Sequence, residues 1–373
     1  MAAVRGDVRA LQFAPEEFRC DPGFVLAATE VHFSALQFAA DALRRDAPLV
    51  LRAVSHDCWA LRHAAEDLRR DRDFALSVVE RHGRALQFLS EDLRADLRIV
   101  QIAFGQNSTS LQFAGRQAVL STLAGRGWAL RYVSDAMKRD PEVVCMATHQ
   151  DIWAFQYADE DLRGDAEFVL ELVRRHGQAL RYAADDLRAD REVVLAAITS
   201  DALARQFAAP ELWADREFVR ETIIRHGTPL SFAAVPLRHD REVVLAAVRR
   251  DVWELEFAGE ELWYDRDFVD GVISTHSHAL KFAPESVRGH RDFVIAAVAK
   301  HGAAMAYMTE DLWRDREVVL FAVQQDGRLL QHAAPGLRGD REVVLTAVEQ
   351  NGWALRHASE ALRAQRELVL DAV

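Results

Sequence analysis

The chain has 373 residues, 50% of them hydrophobic, with 58 Asp and Glu against 46 Lys and Arg and a formal net charge of −12. That much apolar sequence can bury a continuous core, and the acidic balance disfavours non-specific binding to nucleic acid or to an anionic membrane surface. The three cysteines, Cys20, Cys58 and Cys145, make no zinc pattern and point to a reducing compartment. No signal peptide or membrane span is legible, so the expected location is intracellular and cytoplasmic.

From Asp21 onward one unit recurs every 25 residues. Its first residue falls at Asp21, Asp46, Asp71, Asp96, Gly115, Asp140, Asp165, Asp190, Asp215, Asp240, Asp265, His290, Asp315, Asp340 and Gln365. The step from Asp96 to Gly115 is 19, so six residues are missing after Leu111-Gln-Phe-Ala114. Fixed self-similarity of this length is the mark of stacked repeats. The expectation is an all-α fold, an α-solenoid of about fifteen two-helix repeats. An N-terminal repeat block covers 1–114 and a C-terminal repeat block covers 115–373, joined as one continuous solenoid. The deletion predicts that local opening is cheapest over Gly105 to Arg116.

Within a unit the first helix opens on Asp, whose carboxylate accepts the orphan amide hydrogens of the first turn. Val-Val-Leu-Ala-Ala-Val follows, as at Val243 to Val248, and Gly83, Gly177, Gly227, Gly302, Gly327 or Gly352 is expected to close the helix at positive φ. The second helix is predicted from about Ala354 to Arg363 in the unit of Asp340, because Leu355, Ala358 and Leu362 share one helical face. Helices this short are marginal alone and need their neighbours. Ala197, Ala247 and Ala347 in the first helix, with Ala158, Ala183 and Ala258 in the second, let those neighbours approach. Both chain ends read as partial units. Exposed apolar residues are expected at Val4, Phe13, Leu368, Leu370 and Val373, and with them either a longer array or end-to-end self-association.

Asp240-Arg-Glu-Val-Val-Leu-Ala-Ala-Val248, Ala179-Leu-Arg-Tyr-Ala183 and Asp186-Leu-Arg-Ala-Asp190 carry a resemblance that spans the whole chain. The chain resembles the tandem repeats known as domain of unknown function 4116. The resemblance implies a repeat protein and implies no activity.

No Gly-rich phosphate loop, nucleophile elbow or HExxH spacing occurs, so no catalytic residue, metal site or cofactor is expected, and the chain is not expected to be an enzyme. His32, His82, His176, His226, His276 and His301 share one position, but mostly two repeats apart, on the order of 20 Å, too far to share an ion. They read as polar residues suited to a helix C-terminus. Trp59, Trp128, Trp153, Trp253 and Trp353 share one position and Trp213, Trp263 and Trp313 another. Both rows read as staples between helix pairs, with ring surfaces for a ligand as the other possibility.

The most suggestive row follows the Leu of the second helix: Gln12, Gln37, Arg62, Gln87, Gln112, Arg131, Gln156, Arg181, Gln206, Gln331 and Arg356. A regular ladder of amides and guanidiniums could pin an extended polypeptide. The expected function is a non-enzymatic repeat scaffold binding a protein or extended peptide. The alternative is a modular single-stranded RNA-binding solenoid, one base per unit. The net charge and the acidic ridge formed by pairs such as Glu160-Asp161 argue against nucleic acid.

Overall fold

The computed structural model describes residues 7–276, 278–300 and 302–365, which are mostly helical with no strand among them. Two compact units divide the chain, Met1–Ala208 and Ala209–Val373. The division does not fall at the deletion: Arg116–Leu123 packs on Leu97–Gln106 and on Glu91–Ala95.

Most repeats have three segments rather than two. In the unit of Asp165 these are an α-helix Ala166–Arg175, a six-residue 3-10 helix Gly177–Tyr182 and a one-turn α-helix Asp185–Arg188. The same holds in the unit of Asp340, where the predicted second helix is split: Gly352–His357 is 3-10, Ala358 (ψ 159°) and Ser359 (ψ 154°) are extended, and Glu360–Arg363 is α. Leu355, Ala358 and Leu362 do face inward, which is why their spacing mimics one helix. The break lets the chain change direction between Leu355 and Leu362.

The leading Asp caps the long helix in both units. Asp46 accepts from the Leu49 N–H (3.1 Å), Asp165 from Phe168 (3.0 Å) and Asp340 from Val343 (3.2 Å). A second set of caps lies eleven residues on. Asp57, Asp151, Asp251 and Asn351 close one helix and accept from Trp59, Trp153, Trp253 and Trp353 at the start of the 3-10 helix. Each satisfies orphan donors that a short helix exposes.

Only Gly227 has positive φ (64°) among the described residues. Four other glycines at this position have a different cause. A Cβ on Gly83, Gly127, Gly177 or Gly327 would lie 2.3, 2.3, 2.4 or 2.2 Å from the carbonyl oxygen of Ala103, Ala147, Ala197 or Ala347 in the next repeat. They are glycine because backbone meets backbone there.

Repeats are also tied by a backbone ladder. In most repeats the residue before the one-turn helix donates to the carbonyl of the preceding repeat's last turn: Ala40 to Arg19, Ala65 to Arg44, Ser90 to Arg69, Asp159 to Lys138 and Ala184 to Arg163, at 2.9–3.2 Å. Ala234 to Trp213 and Ser359 to Arg338 continue it in the second unit, both at 2.8 Å. The deletion removes one whole one-turn helix. Gly115 then takes the ladder bond to Arg94 (2.7 Å) and starts the next long helix at once. A Cβ on Gly115 would sit 3.0 Å from Ala95 Cβ, so the shortcut needs a small residue. Core packing runs through the junction, with Leu111, Val119 and Leu123 fully buried. The structural cost of the deletion falls instead on Ser134, whose counterpart acceptor is gone. The Ser134 amide should therefore exchange with solvent faster than those of Asp159 and Ala184, read by hydrogen exchange. Equal protection would show that the ladder bond contributes nothing.

Arginine at the first helical position pairs with the next repeat. Arg72 meets Asp96 (2.9 Å), Arg116 meets Asp140 (2.8 Å) and Glu142, and Arg316 meets Asp340 (2.9 Å) and Glu342. These guanidiniums hold the Asp96, Asp140 and Asp340 carboxyls below the usual carboxylate range. A depressed folded pKa favours the folded state wherever the carboxylate is ionised, so this contribution is complete above the unfolded value of about 3.9. It is lost as pH falls through the folded values. Thermal melts should drop below about pH 4 as these carboxylates protonate. A melting temperature that rises on acidification would contradict this coupling.

The expectations for Val4, Leu368, Leu370 and Val373 lie outside the described residues. Phe13 is 81% exposed.

Candidate functional site

The 3-10 helices present one face. Their third and fourth residues point inward, as with Ala179 and Leu180, both fully buried. Their second, fifth and sixth residues line the outside. Gln12, Gln37, Arg62, Gln87, Gln112, Arg131, Gln156, Arg181 and Gln206 are all fifth residues in the first unit, exposed except for the half-buried Gln87. Gln331 and Arg356 take the same place in the second unit, again exposed. The structure thus brings the row to one side of each unit. Three of its glutamines fold back: Nε2 of Gln87, Gln112 and Gln156 donates to the carbonyl of Arg84 (3.2 Å), Thr109 (3.0 Å) and Trp153 (2.9 Å). Those amides are held against the face rather than extended from it.

A second row, missed in the sequence, lies beside the first. The 3-10 helix that follows each described long helix ends on a ring, from Phe13, Phe38 and His63 through Tyr132, Tyr157 and Tyr182 to His357. Most are half-buried. The signal was present at the same 25-residue period, one place after the Gln and Arg row. It is spread over three residue types and therefore less visible than Trp.

The two Trp rows differ. Trp59, Trp128, Trp153, Trp253 and Trp353 stand second in their 3-10 helices and are 39–79% exposed. Each of three meets a ring of the following repeat: Trp59 with Phe88 (5.1 Å), Trp153 with Tyr182 (6.0 Å) and Trp253 with Phe282 (5.3 Å), all edge-on. Trp213 and Trp263 are 7% and 1% exposed and Trp313 is half-buried. They replace the arginine of the one-turn helix. In Arg238 that guanidinium donates to the carbonyls of Ala233 and Ser231, both at 2.9 Å, capping the 3-10 helix. A planar group fills the slot in either case, so these tryptophans are core.

Cations of the fifth-residue row lie over the rings. Arg131 sits 5.1 Å from the centroid of Tyr132 and 5.6 Å from that of Tyr157. Arg181 sits 5.2, 5.5 and 5.7 Å from Trp153, Tyr182 and Phe207. In the second unit Lys281 lies 4.1 Å from the Trp253 centroid. The result is a strip of rings and cations that crosses repeat boundaries.

The His residues of the shared position described here, His32, His82, His176, His226 and His276, end long helices or start 3-10 helices. His301 lies outside the described residues. Among the described residues no three His, Cys, Asp or Glu side chains converge as metal ligands, and no helix is long and apolar enough to cross a membrane.

A repeated three-part helical unit, with a periodic outer face, defines a tandem helical repeat protein. The chain belongs to the family described as Domain of unknown function (DUF4116), whose family model matches it in twelve blocks running from residues 1–44 to 340–373. No curated protein matches it.

Proposed function

We propose that this chain is a non-enzymatic α-solenoid scaffold that binds a protein, through an extended peptide segment, along the face made by its 3-10 helices. The observation that carries this reading is the strip of Trp, Tyr and Arg side chains around Trp153, Tyr157 and Arg181. These residue types dominate binding energy at protein interfaces, since rigid rings bring large contact area at low entropic cost. A periodic face suits a partner that is itself periodic, and an extended peptide is the simplest such partner. The free Cys20, Cys58 and Cys145 fit an intracellular site of action.

Single-stranded RNA is the second reading, favoured by the ring row, because bases stack on exposed aromatic side chains. The cations already cover much of that ring surface, which weakens it.

The test is selection of binders from a displayed library of random peptides. Trp153→Ala should weaken the selected peptides by about thirtyfold, the scale of an interface hot spot. Thr199→Ala, on the exposed side of a long helix, should leave them unchanged. Selected peptides indifferent to Trp153 would reject this face.

A further inference from the structure

Arg131 and Arg181 are set apart by the rings that hold them. Arginines at the repeat junctions, Arg72, Arg116, Arg139, Arg216 and Arg316, all make ion pairs. Arg131 and Arg181 have no carboxylate partner among the described residues. Rings hold them instead, two under Arg131 and three around Arg181. A guanidinium stacked on a ring keeps its charge and the N–H donors at its edge, which match a carboxylate fork to fork. Stacking also fixes the side chain, so less entropy is lost when a partner binds.

Resting on the proposed function, we infer that the peptide recognised by the first unit carries two carboxylate side chains, one forked by Arg131 and the other by Arg181. The arginines stand two repeats apart. With neighbouring helices about 8–10 Å apart and an extended chain rising about 3.3 Å per residue, the carboxylates are about five to six residues apart. Between them the peptide passes Gln156 and the Trp153–Tyr182 ring pair. Glu160 and Asp161 lie on the next short helix and repel further negative charge, so the motif is two spaced acids rather than an acidic run. The same geometry disfavours an RNA strand, whose phosphates recur at every nucleotide and whose bases need ring faces that the guanidiniums occupy.

The experiment selects an mRNA-displayed library of random peptides, about fifteen residues long, on the wild-type chain and on the Arg131→Gln/Arg181→Gln variant. Circular dichroism confirms that the variant is folded, and Arg131→Lys/Arg181→Lys keeps charge while losing the fork. The wild-type pool should be enriched in Asp or Glu pairs about five to six residues apart. Its leading peptide should bind the Gln variant at least tenfold more weakly and the Lys variant in between. Changing both its acids to Asn or Gln should cost the wild-type chain the same factor. Wild-type binders that lack acids, or that bind the Gln variant equally well, overturn the inference and leave the scaffold reading standing. A library from which nothing is enriched overturns both. A fluorescent oligouridylate that binds in place of peptides, and loses affinity in the Gln variant, overturns both in favour of RNA.

Discussion

Gly177→Ala should destabilise the first unit by about 1–3 kcal/mol, the cost of forcing a methyl into a filled site. The added Cβ would lie 2.4 Å from the Ala197 carbonyl oxygen and 2.9 Å from the Asp201 nitrogen. Both are backbone atoms of the following repeat, so no side-chain rotation relieves the clash. The repeats must separate, and separation uncovers Ala179 and Leu180, which are fully buried. Gly105→Ala is the control. Gly105 lies inside the helix Leu97–Gln106, and its Cβ would meet nothing within 4 Å. Alanine there should stabilise by about 0.5–1 kcal/mol through lower backbone entropy in the unfolded chain. Thermal or urea melts of the two variants should move in opposite directions. Equal, small shifts would show that the 3-10 helix does not press against the next repeat as described.

Phe155→Ala should cost about 3–5 kcal/mol. Phe155 is the largest fully buried side chain of its unit, and its ring lies 6.1 Å from that of Phe168 in the next repeat. Leu130 and Leu180 occupy its place in neighbouring repeats, so Phe155→Leu should cost much less, below about 1.5 kcal/mol. In a stack held by nearest-neighbour contacts the damage is local. Hydrogen exchange should accelerate in Pro141–Gln150, Ile152–Tyr157 and Ala166–Arg175, while Pro22–Val31 keeps its wild-type rate. Uniform acceleration along the unit would mean that it unfolds as one body.

Much of this architecture is written in the period. The Asp caps announce themselves because a carboxylate before a helix has one physical use, and Asp46, Asp165 and Asp340 all serve it. The split of the second helix is masked because Leu355, Ala358 and Leu362 keep helical spacing across the break. Prolines mark it nonetheless: Pro15 and Pro284 precede one-turn helices and Pro210 begins a short 3-10 helix, places where a continuous helix could not tolerate them. Gly177 misleads for a different reason. Positive φ and close approach both select glycine, and only the position of the Ala197 carbonyl tells them apart. At the candidate face the fifth-residue row is legible as a row. Its meaning depends on Trp153, Tyr182 and Phe207 converging on Arg181 from three repeats, which a one-dimensional period does not display.

The most direct test of the proposed binding face is hydrogen exchange of the wild-type chain with and without its best selected peptide. Protection should rise along Gly127–Tyr132, Ile152–Tyr157 and Gly177–Tyr182, in step with the repeat. Protection confined to the long helices Ala166–Arg175 and Arg191–Ser200, with the 3-10 segments unchanged, would place the partner on another surface and contradict the account.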